Sequence, residues 1–183
     1  MAGRDVIDVL IEDHREVTAL LREWERTPAP DAQRRIVERV VRALMAHSAA
    51  EEEYVYPAAA GSGDPELAAT ADRDRRAHAF VEEVMARLED TPASDPTYHV
   101  LVRRLLNAVR NHVHDEETCL FPRLRERTSV DERADLAAKV EAAKRRAPTR
   151  PHPHAPKRPP LDKVADAGAA VLDRVRDLAS GRP

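Results

Sequence analysis

The feature that most constrains this chain is a motif that occurs twice, as HSAAEEEYVYP at 47–57 and HVHDEETCLFP at 112–122. The copies share His47/His112, Glu51/Glu116, Glu52/Glu117, a hydrophobe at Val55/Leu120, an aromatic ring at Tyr56/Phe121 and Pro57/Pro122. In each, a histidine and a glutamate stand four residues apart. On a helix this puts them on one face about 6 Å apart along the axis, so both can reach one point. His14 and His78 precede the two copies by 33 and 34 residues. The order His … His-x3-Glu, repeated, is a metal-ligand pattern spread over four helices.

Apolar spacing supplies those helices. The first runs from about residue 4 to 26, with Ile7, Leu10, Val17, Leu21 and Trp24 on one stripe and His14 in the same spacing. Thr27-Pro28-Ala29-Pro30 ends it, and Asp31 is the expected N-cap of the second. That helix carries Val37, Val40, Leu44, His47, Glu51 and Tyr54, is disturbed by Pro57, and closes at Gly61-Ser62-Gly63. Asp64-Pro65-Glu66 starts the third, with Leu67, Ala71, Asp74, His78, Val81, Met85 and Leu88. Asp95-Pro96 starts the fourth, with Tyr98, Val102, Leu105, Val109, His112, Glu116 and Cys119. Short connections make neighbours antiparallel, so the fold class is all-α, an up-down-up-down four-helix bundle over residues 1–128. Counting outward from turns near residues 29, 63 and 93 at ~1.5 Å per residue brings the four histidines within roughly 6 Å of one level.

Ser129-Val130-Asp131-Glu132 is a capping box opening a short fifth helix over 129–146 that packs on or extends the bundle. Residues 147–160 form a Pro/Arg/His-rich linker. A C-terminal amphipathic helix follows over 161–183, with Leu161, Val164, Gly168, Val171, Leu172, Val175 and Leu178 on one side, to fold back or to pair with another chain. Only five glycines, and abundant Ala, Leu, Arg and Glu, agree with helices throughout. A net charge of −3 predicts no nucleic-acid footprint. Cys119 is the single cysteine, which suits a reducing compartment. No apolar run approaches the ~18 residues of a membrane span, so a cytoplasmic location is expected.

His14, His47, Glu51, His78, His112 and Glu116 all fall within apolar stripes. Burying two unpaired carboxylates costs several kcal/mol each, which a cation offsets and a metal-free His–Glu network offsets less well. Six ligands suit two metals, with two histidines on each ion and Glu51 and Glu116 bridging. Imidazole and carboxylate together suit iron or manganese, with zinc also compatible. Tyr54 and Cys119 lie seven residues beyond each motif histidine, on the same face. Tyr54 could reach a metal through its hydroxyl, whereas Cys119 reads as a small buried hydrophobe. Glu52 and Glu117 point about 100° away from the ligands and read as solvated or paired with arginine. Trp24 reads as a core cap at the bundle end. His99, His114, His152 and His154 read as surface or tail residues.

At these residues the chain resembles the hemerythrin-like, HHE cation-binding domain family, over about residues 5–125. The resemblance implies a non-haem centre of two iron ions, oxo- or hydroxo-bridged, that binds oxygen, peroxide or nitric oxide. His14 and His47 would hold one iron, His78 and His112 the other, with Glu51 and Glu116 as bridges. Oxygen-carrying members have a histidine four residues before the third-helix ligand, where this chain has Asp74. They also have an aspartate one residue beyond Glu116 as the second bridge. Both departures argue against reversible oxygen carriage. Asp74 is then a replacement ligand, a hydrogen-bond partner of a ligating histidine, or the partner of a nearby arginine. Two functions follow: a di-iron protein that senses, binds or detoxifies these small molecules, with catalase-like turnover in its most active form, or an iron-responsive regulatory module without turnover. In the second, the C-terminal helix engages a protein partner or another copy of the chain.

Overall fold

The computed structural model describes residues 3–152, 169–174, 176, 177 and 180. Helix α1 (Val6–Arg26) is capped by Asp5, whose carboxylate accepts from the Ile7 N–H at 2.9 Å. Helix α2 (Pro30–Ala50) begins on Pro30 with Ala29 as its cap, so Asp31 lies in the first turn instead of capping it. Proline's fixed φ and missing N–H suit the first helical position, where that donor would have no partner. Helix α4 (Pro65–Asp90) and helix α5 (Pro96–Asp115) start as their sequences predict, with Asp64 and Asp95 accepting first-turn N–H groups. Gly63, at φ 77°, supplies the left-handed residue that turns the chain into α4.

The second and fourth rods of the bundle are continuous but not uniform. Each passes through a π turn, Glu51–Val55 after α2 and Glu116–Leu120 after α5, and then resumes as α3 (Tyr56–Gly61) and α6 (Phe121–Arg127). In both, the N–H after the turn reaches back five residues, from Tyr56 to the Glu51 carbonyl and from Phe121 to the Glu116 carbonyl. Pro57 and Pro122 follow at once. A proline there has no N–H and would press on the carbonyl four residues back, and the wider turn relieves that conflict.

The apolar side chains form two bodies. One holds Val17, Leu21, Trp24, Val40, Leu44, Val81, Met85, Leu105 and Val109. The other holds Val6, Leu10, Val55, Tyr56, Leu67, Ala71, Leu120 and Phe121, closed by Leu136, Ala137, Val140 and Ala143 of α7 (Val130–Arg146). Each fully buried Leu or Phe contributes roughly 1.5–3 kcal/mol, so these two bodies hold the bundle while the layer between them is polar. Helix α7 opens with the expected capping box, Ser129 and Glu132 bonding reciprocally. Its Arg133, 8% exposed, ties Asp5 at 2.7 Å to the carbonyls of Arg125 and Thr128, locking the start of α1 to the turn after α6.

After α7 the chain returns along α4, where the His152 N–H donates to Glu82 at 2.8 Å. Helical residues 169–174 dock with Ala170 and Asp173 inward. Asp173 accepts from the Thr149 and Arg150 N–H groups at 3.1 and 3.0 Å, and Asp177 binds the Arg150 guanidinium at 2.7 Å. Val171 and Leu172, on the side expected either to fold back or to pair with another chain, are 60% and 69% exposed. Extended backbone has no helical acceptor for its N–H groups, and each one buried without a partner would cost about 1–3 kcal/mol. His152 is correspondingly half-buried against Asp173, not a free tail residue. His154, Leu161, Val164, Gly168, Val175 and Leu178 lie outside the described residues. Among the described residues no helix is long and apolar enough to cross a membrane.

Candidate metal centre

The polar layer between the two apolar bodies receives one turn from each of four helices. Helix α1 brings His14, α2 and its π turn bring His47 and Glu51, α4 brings Asp74 and His78, and α5 and its π turn bring His112 and Glu116. None is more than 6% exposed, and Glu51 and Glu116 are fully buried. Neighbouring imidazole rings meet edge-on, His14 to His47 at 4.9 Å and His78 to His112 at 4.6 Å between centroids. Glu51 Oε2 lies 2.9 Å from His47 Nε2 and 3.4 Å from His78 Nε2. Glu116 Oε2 lies 3.2 Å from His14 Nε2 and 3.4 Å from His112 Nε2. Each carboxylate thus stands between two histidines from different helices.

These contacts are close without being hydrogen bonds. His14 Nε2, His47 Nε2, Glu51 Oε1 and Glu116 Oε2 are all buried with no hydrogen-bond partner. Each orphaned buried polar atom costs about 1–3 kcal/mol, and four in one layer form a set that hydrogen bonding inside the protein does not satisfy. Their donor atoms converge in two overlapping groups, His47–Glu51–His78–His112 and His14–His47–Glu116, each with its ligand atoms within 4.8 Å of one another. Cations held by these two groups would give the orphaned histidine and glutamate atoms the partners that the protein does not, so the residues fit a metal.

The outward nitrogens are held too. His14 Nδ1 meets Glu117 at 2.9 Å, His78 Nδ1 meets Glu52 at 3.1 Å, and His47 Nδ1 lies 3.5 Å from Asp13. A carboxylate on Nδ1–H leaves the Nε2 lone pair aimed inward, the arrangement that ligating histidines usually have. Only His112 lacks one, its Nδ1 being buried without a partner. Glu117 is exposed, as expected, and Glu52 is half-buried, but each pairs with a histidine and not with arginine. The 100° offset from their own stripe points them into the seam with the next helix, where another helix's histidine stands.

The π turns correct two further expectations. In an α-helix, Tyr56 would sit about 140° round from Glu51. The wider turn, closed by its five-residue bond, brings it nearly above that residue. Its hydroxyl donates to Glu116 at 2.9 Å and lies 3.2 Å from His78 Nε2. Tyr54, the expected candidate, is rotated outward, and its hydroxyl accepts from Arg146 at 3.0 Å. By the same rotation Cys119 is exposed, not buried. Phe121, the counterpart of Tyr56, stacks on the His14 ring with centroids 5.6 Å apart. A motif position directly before proline was the available signal for Tyr56. Asp74 lies outside both ligand groups; it feels the charge of Arg73, and its Oδ2 is buried and unpartnered. His99, which packs on Trp24, and His114 are exposed, as expected.

Without a cation, the layer balances its own charge. Burial disfavours the His47 cation, but Glu51 and Asp13 push its pKa up to about 10; against the same burial, Glu51 and Glu52 hold His78 up to about 9. Burial opposes the Glu51 anion, yet His47 brings it well below the usual carboxylate range. Burial, then Glu116, raises Asp74 to about 7, and burial beside cationic His78 drives His112 well down. For His47 and His78 the folded pKa exceeds the unfolded value near 6.5, so their stabilisation is complete below pH 6.5 and is lost as pH rises through 9 to 10. Asp74 acts in the same sense between about pH 4 and 7. The metal-free chain is therefore expected to lose thermal stability steadily from pH 6.5 to 10, while metal affinity rises over that range as the ligands shed protons. Unfolding scans of the demetallated protein across pH check this; a flat or rising alkaline profile would contradict the charge assignment.

A family model described as the Hemerythrin HHE cation binding domain matches residues 5–124. A hemerythrin-like protein of Schizosaccharomyces pombe is 28% identical over 97% of this chain and 88% of its own length. A DNA nickase of Nostoc is 29% identical over 76% of this chain, but over only 39% of its own length. The crystal structure of a Hemerythrin HHE cation binding domain-containing protein from Mycobacterium kansasii superposes with a TM-score of 0.67, covering 78% of this chain and 86% of that one. At 21% identity that likeness speaks to the fold alone.

Proposed function

This chain belongs to the hemerythrin HHE cation-binding domain family, and on that premise we propose that it holds a pair of iron ions and acts on oxygen, peroxide or nitric oxide. The observation that carries the proposal is the set of orphaned nitrogen and carboxylate atoms converging in one buried layer. His14 and His47 would hold one ion and His78 and His112 the other. Glu51 and Glu116, each lying between histidines of both pairs, would bridge. Two bound irons would supply the electrons for small-molecule redox chemistry, which no side chain here provides.

The chain's own residues decide what reaches that layer. A cavity of about 10 Å³ abuts the histidines, walled by Val17, Leu44, Val81, Val109 and Val113. It is close to one probe sphere in size and apolar, so it admits only molecules of a few atoms. Tyr56 presents a hydroxyl donor between Glu51, Glu116 and His78. Asp74 Oδ2, raised to about 7 by burial, can carry a proton at neutral pH.

The test is metal analysis with an electronic spectrum, followed by peroxide consumption. About two irons per chain, near-ultraviolet charge-transfer bands and peroxide loss that disappears in His47→Ala are expected. Iron binding with no turnover on any of the three small molecules would leave the regulatory reading instead. A chain that takes no iron on reconstitution would defeat both.

A further inference from the structure

A second concavity, of about 430 Å³, lies between α1, α2 and the C-terminal end of α7, on the outer side of Asp13. It gathers Arg39 and Arg42 from α2, Lys144 and Arg145 from α7 and Arg174 from the C-terminal segment, against two carboxylates of α1. The chain as a whole carries −3, so this is a local reversal of sign. Cations in the last turn of a helix are ordinary, since they meet the negative end of its dipole, and that accounts for Lys144 and Arg145. Arg39 and Arg42 stand in the middle of α2, each 3.5 Å from one carboxylate oxygen, of Glu23 and Asp177, and Arg174 donates to the Arg145 carbonyl at 2.8 Å.

Arg42 supplies an independent observation. Its Nε–H is buried with no acceptor, although its Nη2 lies 3.5 Å from Asp177. An orphaned guanidinium donor is costly, and the nearest acid of α1 does not relieve it: Asp13 is bound by Lys144 on one oxygen and faces His47 on the other. What fits a concave cluster of arginine forks around an unmet donor is an oxyanion with several acceptor oxygens. The volume lies in the range of small-molecule sites.

We propose that this groove is a binding site for a small phosphate-bearing anion. Several cations around one concavity suit a multiply charged ligand better than a single carboxylate, because guanidinium forks carry more donors than the single contacts Arg39 and Arg42 make to Glu23 and Asp177. The groove adjoins the histidine layer through Asp13, which faces His47 on its inner side, while the groove's cations lie outside that layer.

The test is calorimetric titration of the metal-free, full chain with inorganic pyrophosphate at fixed ionic strength. Two variants accompany it: Arg39→Gln with Arg145→Gln, which removes exposed charge, and Arg42→Lys, which keeps charge but deletes the Nε donor. Saturable one-to-one binding is expected, weakened at least tenfold in both variants while their unfolding temperatures stay within about 2 °C of wild type, as surface substitutions usually do. Pyrophosphate binding that is absent, or equal in wild type and variants, would overturn the proposal. So would binding of a single-stranded oligonucleotide without binding of pyrophosphate, which would make the groove a nucleic-acid contact.

Discussion

Loading with iron is expected to raise the unfolding temperature of this protein by roughly 10–20 °C, and Glu51→Gln is expected to remove most of that rise. A ligand that binds only the folded state stabilises it by about 2.7 kcal/mol at a hundredfold excess over its Kd. Two such ions would give roughly 5 kcal/mol. For a chain of this size each kcal/mol moves the transition by about 2–4 °C. Glu51 is the most exacting position to test because its carboxylate is fully buried and lies between His47 and His78, from two different helices. The amide keeps the shape and removes the charge, so lost metal binding is not confused with a cavity. Without metal the amide leaves the buried His47 cation short of its partner, and the metal-free variant should therefore melt below metal-free wild type. Scanning calorimetry on both forms reads all four values. His99→Ala, exposed and far from the layer, should keep the full rise. Equal unfolding temperatures with and without iron in the wild type would end the metal assignment.

Glu52→Gln and Glu117→Gln should each loosen iron by about 10–100-fold, the usual cost of removing a carboxylate behind a ligating histidine. Neither residue lies in a ligand group, so direct coordination is not the cause. Each instead takes the Nδ1 proton of a histidine on another helix, Glu52 from His78 and Glu117 from His14. The amide can present either its oxygen or its NH2 group to that ring, so it no longer enforces the tautomer whose Nε2 lone pair faces inward. Competition against a graded chelator series measures the loss. Cys119→Ser, two residues from Glu117 but exposed, should leave the affinity alone. Unchanged iron retention in both glutamine variants would mean that these contacts are surface decoration.

The two glutamates also show where sequence reasoning stops. A periodicity argument places each side chain relative to its own helix, and by that measure Glu52 and Glu117 pointed away from the ligands. Their partners lie across an interhelical seam, and seam geometry is set by how four rods pack, which no single helix encodes. Tyr54 and Cys119 failed for a related reason. Both were placed by extending a regular 3.6-residue turn through a segment that is a π turn, and beyond that turn every side chain is rotated. The proline at the end of each motif marked the irregularity but did not say which way the backbone would yield. On the C-terminal segment, apolar spacing put Val171 and Leu172 on one side without deciding what that side meets, and Asp173 and Asp177 face inward because they satisfy the backbone and guanidinium of residues 149 and 150. Hydrophobic pattern is a weak guide where the neighbour is extended chain with unmet donors.

What the sequence determined by itself is the architecture and the composition of the central layer. Four amphipathic stripes with short connections admit little besides a bundle, and a histidine or a His-x3-Glu pair at the same depth in each stripe must meet in its interior, because helical rise per residue is nearly constant. What only the tertiary structure decided is which atoms face which. The first π turn brings Tyr56 over Glu51, and the crossing of helices gives His14 and His78 the carboxylates of their neighbours. Periodicity fixes depth and own-helix direction, whereas contact across helices depends on packing and on local backbone defects that periodicity averages away.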